Sequence, residues 1–218
     1  KFGEARLVLS QDNAPNWFLG LEIEAVVNRN QEDVDRLGLV NGDPASVVEA
    51  IREISKTGVD KSHRLIAKLL LQNKDVILGS KFLIKQDKDA QAGAFEVFSD
   101  GTSQVTLNIA GYYGSGVESI VLHEYLHALT DKLLKMDKAK LTPKQRAAIQ
   151  IVQKEYARSL ELGSKEKLEV NYGLTNISEF ISTMFTSTAF QNAVRGMSRK
   201  GLVQRFVDTV KDLIGLGK

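Results

Sequence analysis

Apolar positions along the chain repeat at two periods, and the order in which the periods appear predicts a mixed α and β protein. From Asp43 and Pro44 through Ser55, and again from Asp60 through Leu71, hydrophobic residues recur at helical spacing. Alternation then takes over. Val76 to Ile84 reads as a strand, and Ala94 to Phe98 and Gln104 to Ile109 flank Ser99-Asp100-Gly101-Thr102, whose Asp-Gly pair is a strong hairpin signal. Past the glycines at 111, 114 and 116, helical spacing returns in Val117, Ile120, Val121, Leu122, Leu126 and Leu129, behind an S-x-x-E capping box of Ser115 and Glu118.

Thr142, Pro143 and Gln145 open a further helix, whose Ile149, Val152, Tyr156 and Leu160 share a face until Gly163. Charged stretches, Lys132 to Lys140 and Ser164 to Glu169, border it. Ser198 starts a last helix with a stripe of Leu202, Val203, Phe206, Val207, Val210, Leu213 and Ile214, read as core. Nearer the N-terminus, Asn16 to Asn28 fits a helix or a strand, and Gly38 to Pro44 a loop. The expectation is an α+β fold: a small antiparallel or mixed sheet, then a mostly helical C-terminal half. One domain over residues 1–218 accommodates it, with sub-lobes 1–135 and 136–218.

Chemistry concentrates in one helix. His123, Glu124 and His127 form H-E-x-x-H, and positions i and i+4 of a helix share a face, so both imidazoles can reach one metal ion with Glu124 beside it to hold a water. The chain has only three histidines, and two of them occupy this spacing. A catalytic zinc takes three protein ligands and leaves one position open. Cysteine is absent, and His63 reads as an exposed residue in a first helical turn. Glu179 is the better third ligand, because Phe180, Ile181, Met184 and Phe185 behind it form the apolar stripe of a helix that packs on the histidine helix. A second reading of Glu179 stands beside this one: with Asn176 as N-cap it occupies the third helical position, where capping glutamates sit. The oxyanion of a hydrolytic transition state calls for a further donor. Tyr172 is the first choice, with Tyr112, Tyr113 and Tyr156 as alternatives.

The run H-E-x-x-H-A-x-T-D from His123 to Asp131, followed by a glutamate on a later helix, resembles the thermolysin-like gluzincins, a zincin group of metallopeptidases. The hairpin ahead of the helix and the N-x-x-E-F-I-S stretch also look like the compact gluzincin-type domains inside large phage polyproteins. This resemblance, over roughly residues 104 to 190, implies one zinc held by His123, His127 and Glu179, with Glu124 as general base and Asp131 as a helper behind the ligands. It further implies a zincin-like sheet whose edge strand lies above the metal helix and binds substrate backbone. Thr106, Leu107, Asn108, Ile109 and Ala110 are placed to be that strand, or else a plain core strand. One departure is visible. Where the family has a second aspartate, four residues after the ligand glutamate, this chain has Thr183, which leaves the orientation of His123 without a partner.

Composition alters this picture little. A net charge of +2 over 218 residues, with Lys and Arg spread out, argues against nucleic-acid and membrane partners. No signal peptide or membrane-spanning run is present in the sequence, and the lack of cysteine fits a reducing compartment, cytoplasmic or virion-associated. A start at Lys1 rather than methionine fits a trimmed domain or a product of a larger polyprotein. The expectation for function is therefore a zinc-dependent endopeptidase acting on a polypeptide substrate. Its competitors are a non-catalytic, zinc-stabilised domain of a larger assembly and a zinc hydrolase of a non-peptide bond.

Overall fold

The computed structural model describes residues 16–58, 60–111, 116–163, 173–187, 189–192 and 208–212. Helices α1 (Asn16–Arg36), α2 (Pro44–Thr57), α3 (Lys61–Gln72) and α4 (Lys74–Leu78) lead into strands β1 (Ser80–Lys85), β2 (Gly93–Val97) and β3 (Ser103–Asn108). After them come α5 (Gly116–Leu134), a 3-10 turn (Lys138–Lys140), α6 (Pro143–Gly163) and α7 (Ile177–Thr186). The described residues are mostly helical with one small mixed sheet, in line with the α+β expectation.

Local chemistry accounts for several of the boundaries. Asp43 accepts a hydrogen bond from the Ala45 N–H, and Pro44 supplies the first turn of α2. At α6 the Thr142 hydroxyl accepts from the Gln145 N–H (3.2 Å) and the Gln145 side chain accepts from the Thr142 N–H (3.0 Å), a reciprocal capping box. The Asp-Gly hairpin forms as expected: Gly101 takes φ 82°, and the Phe98 N–H donates to the Thr102 carbonyl at 2.9 Å. Asn16 to Asn28 resolves as helix and continues to Arg36.

The Val76 to Ile84 strand is corrected by the structure. Residues 76–78 close the short helix α4, and the strand begins only at Ser80. The Gly79 N–H bonds back to the Asp75 carbonyl and ends the helix, an i to i−4 pattern that the three apolar residues Val76 to Leu78 do not announce.

Sheet order is β1-β3-β2, with β1 parallel and β2 antiparallel to the middle strand. This corrects the placing of Thr106 to Ala110 at the edge above the metal helix. Thr106, Leu107 and Asn108 belong to the central strand, whose backbone groups are taken on both sides, while Ile109 and Ala110 lie in the turn that follows. Hairpin pairing and parallel pairing converge on the same residues, and only the chain path from β1 decides that they meet there. The outer side of β1 is covered as well: the Gly42 N–H donates to the Phe82 carbonyl (2.9 Å), and Asn41 Oδ1 accepts from the Ile84 N–H (2.8 Å). Of the two edge strands, β2 is the one not closed by these loop contacts.

Helix α5 is the axis of the molecule. It touches α1, α3, α4, α7, β2 and β3, and every residue from Val121 to Thr130 is buried. A helix apolar around most of its circumference is a core helix. His63 departs from its expected exposure: it is 4% exposed on α3, with Nδ1 2.9 Å from Oε1 of Glu118 in the first turn of α5. Ser115, the other half of the expected capping box, lies outside the described residues, as do Tyr112, Tyr113, Ser164 to Glu169 and Tyr172. Most of the expected last helix lies outside them too; within it residues 208–212 are helical and Val210 is buried.

Candidate metal centre

His123 and His127 project from α5 toward the first turn of α7. Their Nε2 atoms lie 2.9 Å apart, and Glu179 Oε2 sits 3.1 Å from that of His123 and 3.3 Å from that of His127. Donor atoms held tetrahedrally at 2.0–2.1 Å from zinc are separated by roughly 3.3 Å. The three sides of the observed triangle agree with that spacing to within a few tenths of an ångström. His123, His127 and Glu179 thus form a largely buried group able to hold a metal ion, and its donor set of two imidazoles and one carboxylate is one that zinc accepts.

The side chain of Glu179 faces the imidazoles and does not act as a capping glutamate; the cap is Asn176 alone. Asn176 caps α7, its Oδ1 accepting from the Glu179 N–H at 2.9 Å, while the Glu179 carboxylate turns to the imidazoles. Burial alone raises the pKa of that carboxyl, but hydrogen bonds from His123 and His127 outweigh it and hold it at about 2. Burial pulls His123 below its ordinary value, toward the neutral form a ligand needs.

Behind the triangle, each imidazole meets a hydroxyl. His123 Nδ1 is 3.1 Å from Thr186 Oγ1, and His127 Nδ1 is 2.7 Å from Ser178 Oγ. The side chain beside His123 Nδ1 is thus that of Thr186 and not of Thr183. Asp131 lies on the cleft wall with its carboxylate 2.8 Å from Lys135 Nζ.

Glu124 is buried beside the triangle and lines a cleft of about 550 Å³ that also reaches His127 and Glu179. Burial pushes its carboxyl up to about 7, against a weaker downward pull from His127. Strand β2 forms the opposite wall through Gly93, Ala94 and Phe95. Gly93 has a specific use: a Cβ there would lie 2.6 Å from Glu124 Oε1 and 2.6 Å from Ile120 Cγ2, so only glycine lets β2 approach this closely. The register pairs Gly93 with Leu107, and the Asn108 N–H donates to the Ala92 carbonyl at 2.9 Å. In an antiparallel ladder, hydrogen-bonded pairs alternate with open ones. Gly93, Phe95 and Val97 accordingly turn their backbone groups to the outer edge of β2.

Of the residues singled out in the sequence, Glu124, His127, Glu179 and Asp131 line this cleft, and His123 joins them through the triangle. Thr106 to Ala110 do not line it, and Tyr156 is engaged elsewhere, its hydroxyl donating to the Leu174 carbonyl at 2.9 Å. Ser178, Thr186 and Gly93 were missed. Thr186 carried one signal, since it stands seven residues after Glu179, two turns along the same helical face; Ser178 and Gly93 carried none. The chain matches no family model, no curated protein and no solved structure.

Proposed function

We propose that this protein is a zinc-dependent endopeptidase of gluzincin type. The observation that carries the reading is the buried carboxyl of Glu124, set between a triangle of metal-binding atoms and a cleft walled by a strand edge. His123, His127 and Glu179 would hold the zinc, which would supply Lewis acidity there. Glu124 takes the proton of the attacking water and returns it to the leaving amine. The outward N–H and C=O groups of Gly93 and Phe95 receive an extended substrate by strand addition, which transfers to β2 the part expected of Thr106 to Ala110.

Glu124→Gln keeps the shape of the side chain and removes the base. Zinc content is expected to stay at one ion per chain, while turnover of peptide substrates falls by about a hundredfold or more. Near-normal turnover in that variant would remove Glu124 from the mechanism, and a wild-type chain loaded with zinc but inert toward a broad set of peptides would favour a non-catalytic zinc-stabilised domain.

A further inference from the structure

The hydroxyl of Thr186 has one proton, and its destination decides the state of His123. Thr186 Oγ1 donates to the Ser182 carbonyl, one turn back on α7, at 2.8 Å. The same oxygen lies 3.1 Å from His123 Nδ1, and with its proton already committed it can only accept there. A hydrogen on Nδ1 of His123 frees the lone pair of Nε2 for an ion held together with Glu179 and His127. The path is buried throughout, with Thr186, Ser182 and His123 all within the core, and the backbone of Thr186 is pinned to α5 by Ser119, whose hydroxyl donates to the Thr186 carbonyl at 3.2 Å.

We infer that Thr186 is a positioning residue for the metal site: its hydroxyl, oriented by the Ser182 carbonyl, sets the tautomer and ring angle of His123 so that Nε2 faces the ion. This rests on the reading of His123, His127 and Glu179 as metal ligands. It replaces a carboxylate partner with a neutral hydroxyl. A second hydroxyl, Ser178 Oγ, lies 2.7 Å from His127 Nδ1. A hydroxyl lends an imidazole less basicity than a carboxylate does, so the ligands of this site are ordered by direction more than by charge. Threonine suits the duty because its Oγ1 reaches the i−4 carbonyl from inside a helix, fixing the hydroxyl without an additional partner.

Thr183 provides a matched control. It lies on the same helix, is 6% exposed as Thr186 is, and its hydroxyl finds no hydrogen-bond partner among the described residues. Three variants therefore separate positioning from packing: Thr186→Val, Thr186→Ser and Thr183→Val. Two measurements are made on each. Zinc affinity is read by competition with a chromophoric chelator. The protonated nitrogen of His123 is read by long-range nitrogen NMR on the zinc-free chain, with assignment made by replacing the other two histidines.

Wild type and Thr186→Ser are expected to carry the proton on Nδ1. Thr186→Val is expected to lose that preference and bind zinc at least tenfold more weakly, and Thr183→Val to stay within twofold of wild type. A wild-type His123 with its proton on Nε2 alone overturns the inference, and so does a Thr186→Val chain that binds zinc as tightly as wild type, or a Thr183→Val chain that loses as much. If the wild-type chain takes up no zinc, the ligand reading fails instead, and the tautomer of the zinc-free chain still decides what Thr186 does. Should Thr186→Val not fold, the wild-type and Thr186→Ser spectra remain decisive.

Discussion

Two glutamates on different helices, Glu124 and Glu179, are driven toward opposite protonation states by the same cleft. Glu124 has its pKa raised by burial from 4.5 to about 7, so the folded state favours its protonated form. In zinc-free protein its contribution to stability is complete below about pH 4.5 and is lost as the pH climbs through 7. At about 1.4 kcal/mol per pH unit the span is worth on the order of 3 kcal/mol. Glu124→Gln removes the effect, so the stability difference between variant and wild type, followed by urea denaturation, is expected to grow in the variant's favour from pH 4.5 to 7.5. A flat difference would contradict it. Glu179 runs the other way: held at about 2, it stabilises above its ordinary range, and that share disappears as the pH falls toward 2. The Glu179 carboxylate and the Asn176 cap beside it also separate by mutation. Glu179→Ala is expected to weaken zinc binding at least tenfold, whereas Asn176→Ala, which removes the cap itself, costs about 1 kcal/mol of stability and leaves all three ligands in place. Chelator competition and melting temperature on both variants check this.

Elements succeed or fail as sequence signals according to whether their neighbours lie close along the chain. The hairpin of β2 and β3 and the caps of α2 and α6 are local, and each formed where its residues pointed. The identity of the edge strand is not local. It depends on β1 pairing with β3 across a register of Ser80 with Ser103, more than twenty residues away, and that pairing moves the open edge to β2. Gly93 then becomes the tightest point of the site. Gly93→Ala places a methyl group 2.6 Å from Glu124 Oε1, and overpacking of this kind costs about 1–3 kcal/mol. Turnover is expected to fall with it because β2 and Glu124 are forced apart, while zinc affinity stays near wild type, the three ligands being on α5 and α7. Equal losses in both measurements would place Gly93 in the support of the ligands instead.

At the scale of the molecule the metal group joins helices that are remote in sequence. His123 and Glu179 are 56 residues apart, and the packing of α5 against α7 is among the most extensive in the fold. An ion that binds only the folded chain stabilises it by mass action, about 2.7 kcal/mol when its free concentration is a hundredfold above the dissociation constant. One zinc per chain is expected on elemental analysis, and a chelator is expected to lower the melting temperature by roughly 4–10 °C along with the loss of activity. Metal-replete protein without zinc, or a melting curve indifferent to the chelator, would sink the ligand assignment. Among the described residues no helix is long and apolar enough to cross a membrane.

The residues that make the metal group were legible because each obeys a short-range rule. His123 and His127 are one helical turn apart, and Glu179 opens a helix behind a capping asparagine, so spacing alone puts donors on helix faces. What surrounds them was decided by tertiary packing. His63 reads as a surface residue because its own helix says nothing about Glu118, 55 residues on, which buries with it at the end of α5. Helix α5 has no polar face to betray its depth, since it is enclosed on nearly all sides. Thr186 and Ser178 are ordinary hydroxyl residues until α7 is laid against α5 and brings them to the imidazoles. Periodicity fixes direction around one element, whereas a partner across two elements depends on the path of the whole chain, and the supports of this site are all partners of that second kind.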